Sequence, residues 1–171
     1  MGELTDEKVK ELLERFRIHN PPVPVDKIAK KLGFELVALS TSDDDISGAI
    51  IRKGGEVIIA VNPSHHLNRR RFTIAHELGH YFLHEGLDEH VDQDFRVAWR
   101  SADSSKAVNW LEIEANRFAA ELLMPTQFLR RDLDSLHSIG KRTVALLASA
   151  YKVSPEAMKF RLTNLGITGP F

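Results

Sequence analysis

The sequence predicts an α+β domain that ends in a helical tail. Apolar residues recur at helical spacing near the N-terminus and through most of the second half of the chain, whereas residues 34–62 have β-like sequence. Within that part, Gly54 and Gly55 can supply the positive φ angles of a tight hairpin turn. The 171 residues, 43% of them hydrophobic, suffice for one ordinary domain with a sizeable core. We therefore expect a main domain over residues 1–137, with a helical C-terminal subdomain, residues 138–171, packed on it.

The first half of the chain is predicted to form two helices and then three strands. Pro21, Pro22 and Pro24 separate the two helices, and Gly33 is suited to end the second one. The three strands together predict a small sheet of mixed or antiparallel pairing. The predicted elements are helices at residues 5–18 and 25–32 and strands at residues 34–39, 46–53 and 56–62.

The second half is predicted to be mostly helical. One strand is expected at residues 91–99, where apolar and aromatic residues alternate. Ser154 and Pro155 form a typical helix start, with a capping hydroxyl followed by proline at the first helical position. The predicted helices are residues 68–84, 108–124, 126–137, 141–151 and 155–166, and the last two predict a helix-turn-helix-like tail.

Composition excludes several classes of protein. There are no cysteines, so neither disulfides nor thiolate metal sites are available. The formal net charge of -1 does not favour a general polyanion binder. The N-terminal segment lacks the apolar core of a secretory signal, and no apolar run is long enough to cross a bilayer. We expect a cytoplasmic protein without membrane contact.

The most informative segment is His76-Glu77-Leu78-Gly79-His80. Two histidines four residues apart lie on one helix face, one turn apart, so both imidazoles can reach one metal ion. Glu77 is rotated by about 100° from His76 and would lie beside the ion, where it could take a proton from water. The spacing predicts a catalytic metal site with Glu77 as general base.

A third ligand is needed, and the spacing leaves its identity open. His84 extends the histidine ladder, but the roughly 12 Å between it and His76 along the helix is too far for both to bind one ion. The downstream helix offers Glu112 on one face, and Glu114 with Glu121 on another. A glutamate from either face would complete a site of two histidines and one carboxylate with an open position for water.

Three segments together resemble the ImmA/IrrE family of metallopeptidases: RRRFTIAHELGHYFLH (69–84), EIEANRFAAELLMP (112–125) and LASAYKVSPEAMKFRLTNLG (147–166). The resemblance implies a zincin-like domain over residues 1–137. It also implies that the third metal ligand, beside His76 and His80, is Glu114, the glutamate directly before Ala-Asn. Zinc is the expected metal, and this ligand set also suits manganese.

The same resemblance implies a regulatory protease that cleaves a helix-turn-helix transcriptional repressor. Two alternatives come from other classes of function. The chain could be an anti-repressor that sequesters its target without cutting it, or a regulator that binds DNA through its C-terminal helices. The helix that would enter the DNA groove has only Lys159 and Arg161 as basic groups, so direct nucleic-acid binding is not favoured. We also expect the strand at residues 56–62 to offer an edge for an extended substrate.

Overall fold

The computed structural model describes residues 2–40, 45–84, 89–93, 106–134, 139–167 and 169–170. Its helices are α1 (Gly2–Arg15), α2 (Val25–Lys31), α3 (Leu67–Leu83), α4 (Lys106–Leu123), α5 (Thr126–Asp134), α6 (Lys141–Tyr151) and α7 (Pro155–Asn164). Its strands are β1 (Glu35–Ala38), β2 (Ile46–Lys53), β3 (Glu56–Val61) and β4 (Glu89–Gln93). The predicted α+β class is confirmed. Within these residues, no helix is long and apolar enough to span a membrane.

The four strands form one mixed sheet in the order β1-β3-β2-β4. The β2–β3 hairpin is antiparallel and turns at Gly54 and Gly55, which have φ values of 61° and 86°. β1 pairs parallel to β3, and β4 pairs antiparallel to β2. The prediction that residues 56–62 offer a free edge is therefore wrong, because β3 lies between two other strands. The edges of the described sheet are β1 and β4.

Most predicted elements agree with the structure to within a few residues. The first helix begins and ends earlier than predicted, at Gly2 and Arg15. Only part of the strand predicted at residues 91–99 can be compared, because the described part of β4 ends at Gln93 and residues 94–99 lie outside the described residues. Residues 135–138 also lie outside them, so the proposed division into domains at residues 137 and 138 remains a prediction.

Helix α3 occupies the centre of the fold and contacts α2, α4, β2 and β3. Two glycines let it pack closely on both sides. A Cβ on Gly48 of β2 would lie only 2.3 Å from Cγ2 of Thr73, and a Cβ on Gly79 would lie 3.0 Å from Cα of Ala115 in α4. Side chains at these positions would separate the elements. The small residues thus hold α3 against the sheet and against α4.

The N-terminal part of α3 is anchored by two members of the arginine run at residues 69–71. Arg69 donates to Oγ of Ser47 on β2, at 2.8 Å. Arg71 donates to the carbonyl oxygens of Val23, at 2.9 Å, and of Lys152, at 3.4 Å. Burial lowers the pKa of Arg71, and the charge of the nearby Asp26 opposes that shift. These contacts give the run a structural role.

The tail forms a helix–turn–helix of α6 and α7 that joins the common hydrophobic core. Ser154 caps α7 as predicted, accepting a hydrogen bond from the backbone N–H of Ala157 at 3.1 Å. Arg161 of α7 is buried and forms an ion pair with the equally buried Glu121 of α4. Of the two basic residues predicted on this helix, Arg161 is therefore turned inwards, which leaves Lys159 as the exposed one.

Candidate metal centre

His76 and His80 lie one turn apart on α3, and their rings face a common position. Both residues are fully buried, and so is Glu77 beside them. The two Nε2 atoms lie 3.0 Å apart. The structure thus brings together the two histidines that the spacing predicted as a pair.

The third side chain at this position is Glu112 of α4. One of its carboxylate oxygens lies 3.2 Å from Nε2 of His76, and the other lies 3.3 Å from Nε2 of His80. In the part of the chain that the structure describes, these residues are the group whose donor atoms could hold a metal ion, all within 4.8 Å of one another.

Glu114, the third ligand that the family resemblance implied, lies elsewhere. Its Oε2 is 3.2 Å from Nε2 of His84. The reason is the rotation of α4, in which Ala115 faces Gly79 across the helix interface. At about 100° per residue, Glu112 lies about 60° from that contact on one side, and Glu114 about 100° on the other. The structure therefore places Glu112, and not Glu114, beside the two histidines.

The three donor atoms fit a metal ion in both chemistry and spacing. Imidazole nitrogens and a carboxylate form the usual protein ligand set of catalytic zinc. Metal–ligand distances of about 2.0–2.1 Å place tetrahedral ligands about 3.3 Å apart. The two Nε2 atoms are 3.0 Å apart, and they lie 3.2 and 3.3 Å from the two different oxygens of the Glu112 carboxylate. Electron-rich atoms this close repel one another in a buried site. A cation among them would convert that repulsion into attraction.

The Nδ1 atom of each histidine ring, which points away from the shared position, also has a hydrogen-bonding partner. Nδ1 of His76 lies 3.0 Å from the side-chain oxygen of Asn116 in α4. Because that oxygen only accepts, His76 carries its hydrogen on Nδ1 and directs the lone pair of Nε2 towards the shared position. Nδ1 of His80 lies 3.0 Å from Nδ1 of His84. Sequence reasoning missed Asn116, although its spacing of four residues from Glu112 puts both on one helix face.

The sheet supports the motif helix at two further points. Arg52 of β2 donates to the carbonyl oxygens of His80, at 2.9 Å, and of His84, at 3.2 Å. These carbonyls belong to the last turn of α3, where a cation also complements the helix dipole. Glu77 faces the same strand, with Oε1 3.7 Å from the place where a Cβ on Gly48 would lie. Glu77 is thus held between α3 and β2.

Residues 29–163 match the model of the peptidase M78 family, described as the IrrE N-terminal-like domain. The matched region includes the histidine pair, Glu112 and most of the helical tail. The chain belongs to this family. The ImmA/IrrE resemblance of the sequence segments is thereby confirmed.

Two characterised proteins are similar to this member of the family. One is metallopeptidase ImmA of Bacillus subtilis, 30% identical over 112 residues, which are 65% of this chain and 58% of that protein. The other is the radiation response metalloprotease IrrE of Deinococcus radiodurans, 30% identical over 107 residues, or 63% of this chain and 31% of that protein. The chain thus matches little more than half of the first and about a third of the second.

A solved structure, that of a Mycobacterium tuberculosis transcriptional regulator, shares the fold of this family member. The TM-score is 0.64 at 15% sequence identity, over 93% of this chain and 46% of the other. At this identity the likeness supports the fold alone.

Proposed function

We propose that this protein is a zinc-dependent metallopeptidase whose metal is held by His76, His80 and Glu112. The observation that carries the proposal is the convergence of their three donor atoms at one buried position. Two histidines and one carboxylate leave a coordination position open, which is typical of catalytic rather than structural zinc. Manganese suits the same donors, and selection between the two metals depends on availability.

Glu77 is proposed as the general base. The chemistry that a bound zinc ion supplies is Lewis acidity, which polarises a scissile carbonyl and makes water a stronger acid. Glu77 follows His76 directly on α3 and is fully buried against β2. From this place its carboxylate would accept a proton from the attacking water and pass it to the leaving amine. The backbone of α3 holds Glu77 and both histidines on one rigid element, which favours precise orientation.

The proposed substrate is a protein, and specifically a helix-turn-helix transcriptional repressor. The names of the two similar proteins, a metallopeptidase and a radiation response metalloprotease, support a protein substrate. The choice of a repressor rests on the resemblance of the sequence segments to the ImmA/IrrE family. An extended segment of such a substrate would pair with the edge strand β4, because β4 lies next to β2, the strand that contacts α3. A site that binds extended backbone would cut a flexible or unfolded segment.

The test compares wild-type protein with Glu77→Gln, both loaded with zinc, in native cell lysates. New protein N-termini are identified by mass spectrometry. We expect a new terminus within a repressor in the presence of wild type and none with Glu77→Gln, although both variants bind one zinc ion. Cleavage by Glu77→Gln at the wild-type rate would refute the assignment of the base.

The same pair of proteins separates proteolysis from sequestration, and an affinity measurement with DNA tests the third function. In a reporter assay for the repressor, sequestration predicts that Glu77→Gln relieves repression as well as wild type does, whereas proteolysis predicts that it does not. Direct DNA binding predicts a salt-dependent affinity for DNA. The burial of Arg161 leaves α7 with little basic surface, so we expect no such affinity.

A further inference from the structure

We propose that His84 and Glu114 are positioning residues that set the tautomer and the ring orientation of His80. The inference rests on the proposed function, because His80 is one of the residues proposed to hold the metal. It gives a role to Glu114, which is close to the site without reaching the donor cluster, and to His84, the third member of the histidine ladder.

Three side chains form a continuous chain of hydrogen bonds that leads outwards from the site. Nδ1 of His80 lies 3.0 Å from Nδ1 of His84. Nε2 of His84 lies 3.2 Å from Oε2 of Glu114. The side chain of His84 is 4% exposed and that of Glu114 is 22% exposed, so the chain runs from the buried centre to the edge of solvent.

The position of each hydrogen in this chain follows from the one before it. To bind a metal, His80 must present a lone pair on Nε2, so its hydrogen is on Nδ1. Nδ1 of His84, 3.0 Å away, then accepts that hydrogen. The hydrogen of His84 is then on Nε2, where it is donated to the carboxylate of Glu114. Because a carboxylate only accepts hydrogen bonds, Glu114 fixes the hydrogen of His84 on Nε2 and thereby the direction of the whole chain of hydrogen bonds.

Helix α4 would thus orient both metal-binding histidines as well as supply the third ligand. Asn116 accepts from His76 directly, at 3.0 Å. Glu114 lies on the opposite side of α4 from Glu112 and reaches His80 only through His84. The rotation of α4 that removes Glu114 from the ligand set is the same rotation that places it on His84.

The first experiment compares three substitutions on α4 by zinc affinity, measured in competition with a chromophoric chelator. Loss of an outer partner of a metal-binding histidine weakens affinity by about 10–100-fold. Because Glu114 reaches His80 only through His84, we expect the lower end of that range, a Kd about 10-fold higher, for Glu114→Ala. Glu114→Gln keeps an acceptor oxygen for His84 and should recover most of the affinity. Glu112→Ala removes a ligand and should weaken binding more than Glu114→Ala does.

Three results of this comparison would overturn the proposal. Glu114→Ala could leave Kd unchanged, in which case Glu114 has no role in the site. It could weaken binding as much as Glu112→Ala, which would make Glu114 a ligand. Glu114→Gln could be no better than Glu114→Ala, which would mean that accepting a hydrogen bond is not what Glu114 contributes. Circular dichroism of each variant establishes that it is folded.

A double-substitution cycle tests whether Glu114 acts through His84. In a His84→Ala background, Glu114→Ala should change Kd by no more than about twofold, because coupled residues are not additive. An undiminished effect of Glu114→Ala in that background would refute the chain of hydrogen bonds. The measurement needs no protease activity, so a protein that binds zinc in this pattern and cuts nothing would refute only the proposed function.

A spectroscopic measurement on the zinc-loaded wild type needs no substitution. In histidine ring ¹⁵N NMR spectra, we expect His84 to carry its hydrogen on Nε2 and none on Nδ1, and His80 to carry its hydrogen on Nδ1. The opposite tautomer of His84 would overturn the proposal.

Discussion

Replacing Arg161 by methionine is expected to loosen the helical tail from the rest of the protein. Arg161 is buried on α7 and forms an ion pair with Glu121 of α4. It also donates to the carbonyl oxygen of Met124, at 3.2 Å, and to Oγ1 of Thr126, at 2.9 Å. Methionine keeps an unbranched apolar stem and removes the guanidinium. The substitution therefore isolates the charge and its hydrogen bonds.

The size of the loss in stability depends on the hydrogen bonds that Glu121 retains after the substitution. Removing one partner of a buried ion pair costs about 3–5 kcal/mol, because the other charge remains buried. Glu121 retains hydrogen bonds from the backbone N–H and the hydroxyl of Thr126, both at 2.9 Å. These bonds place the expected loss at the lower end, about 3 kcal/mol. For a chain of this size that corresponds to a fall in Tm of about 6–12 °C.

Thermal unfolding followed by circular dichroism measures the loss, with Arg130→Met as the matched control. Arg130 is exposed, so its substitution should change stability by no more than about 0.5 kcal/mol. The double variant Arg161→Met with Glu121→Gln should be more stable than Arg161→Met alone, since it leaves no uncompensated carboxylate. Equal Tm values for Arg161→Met and Arg130→Met would refute the energetic role of the buried pair.

Three further predictions concern helix packing, pH and metal. Gly79→Ala should push α4 away from α3, since the new Cβ would lie 3.0 Å from Cα of Ala115. Glu112 would then move away from the histidines and zinc affinity should fall, so an unchanged Kd for zinc would contradict this prediction. Burial and a hydrogen bond to Asp132 raise the pKa of Tyr151. The unfolded chain loses the phenolic proton above about pH 10 while the folded one keeps it, so wild type should lose stability above that pH and Tyr151→Phe should lose less. Parallel urea titrations at pH 9 and 10.5 check this, and equal losses would count against it. Zinc at 100 times its Kd should add about 2.7 kcal/mol to the free energy of unfolding; a Tm that neither zinc nor EDTA changes would exclude a folded-state site.

The elements of this fold were predictable where local signals agree with the tertiary structure. Gly54 and Gly55 marked the hairpin turn, and both have positive φ values. Gly33, also with positive φ, marked the end of α2. The order of the strands in the sheet was harder to predict, because the sequence of a strand does not indicate which other strands it pairs with. Because β1 pairs with β3, β3 is an inner strand, although it was expected to have a free edge.

The metal centre was also only partly predictable from the sequence. The histidine pair follows from spacing on a single helix, and the structure brings its members together. The choice between Glu112 and Glu114 depends instead on how α4 is rotated against α3. That rotation is set by the contact of Gly79 with Ala115, which is a tertiary feature. The inward direction of Arg161 has the same origin, because only the packed fold places Glu121 opposite it.

The most direct test of the proposed metal centre is a crystal structure of the zinc-loaded protein with anomalous diffraction data collected at the zinc edge. We expect one anomalous peak at about 2.0–2.2 Å from Nε2 of His76, Nε2 of His80 and a carboxylate oxygen of Glu112. Glu114 should remain on His84. A peak bound by Glu114 in place of Glu112, or no peak between the two histidines, would contradict the assignment of the site.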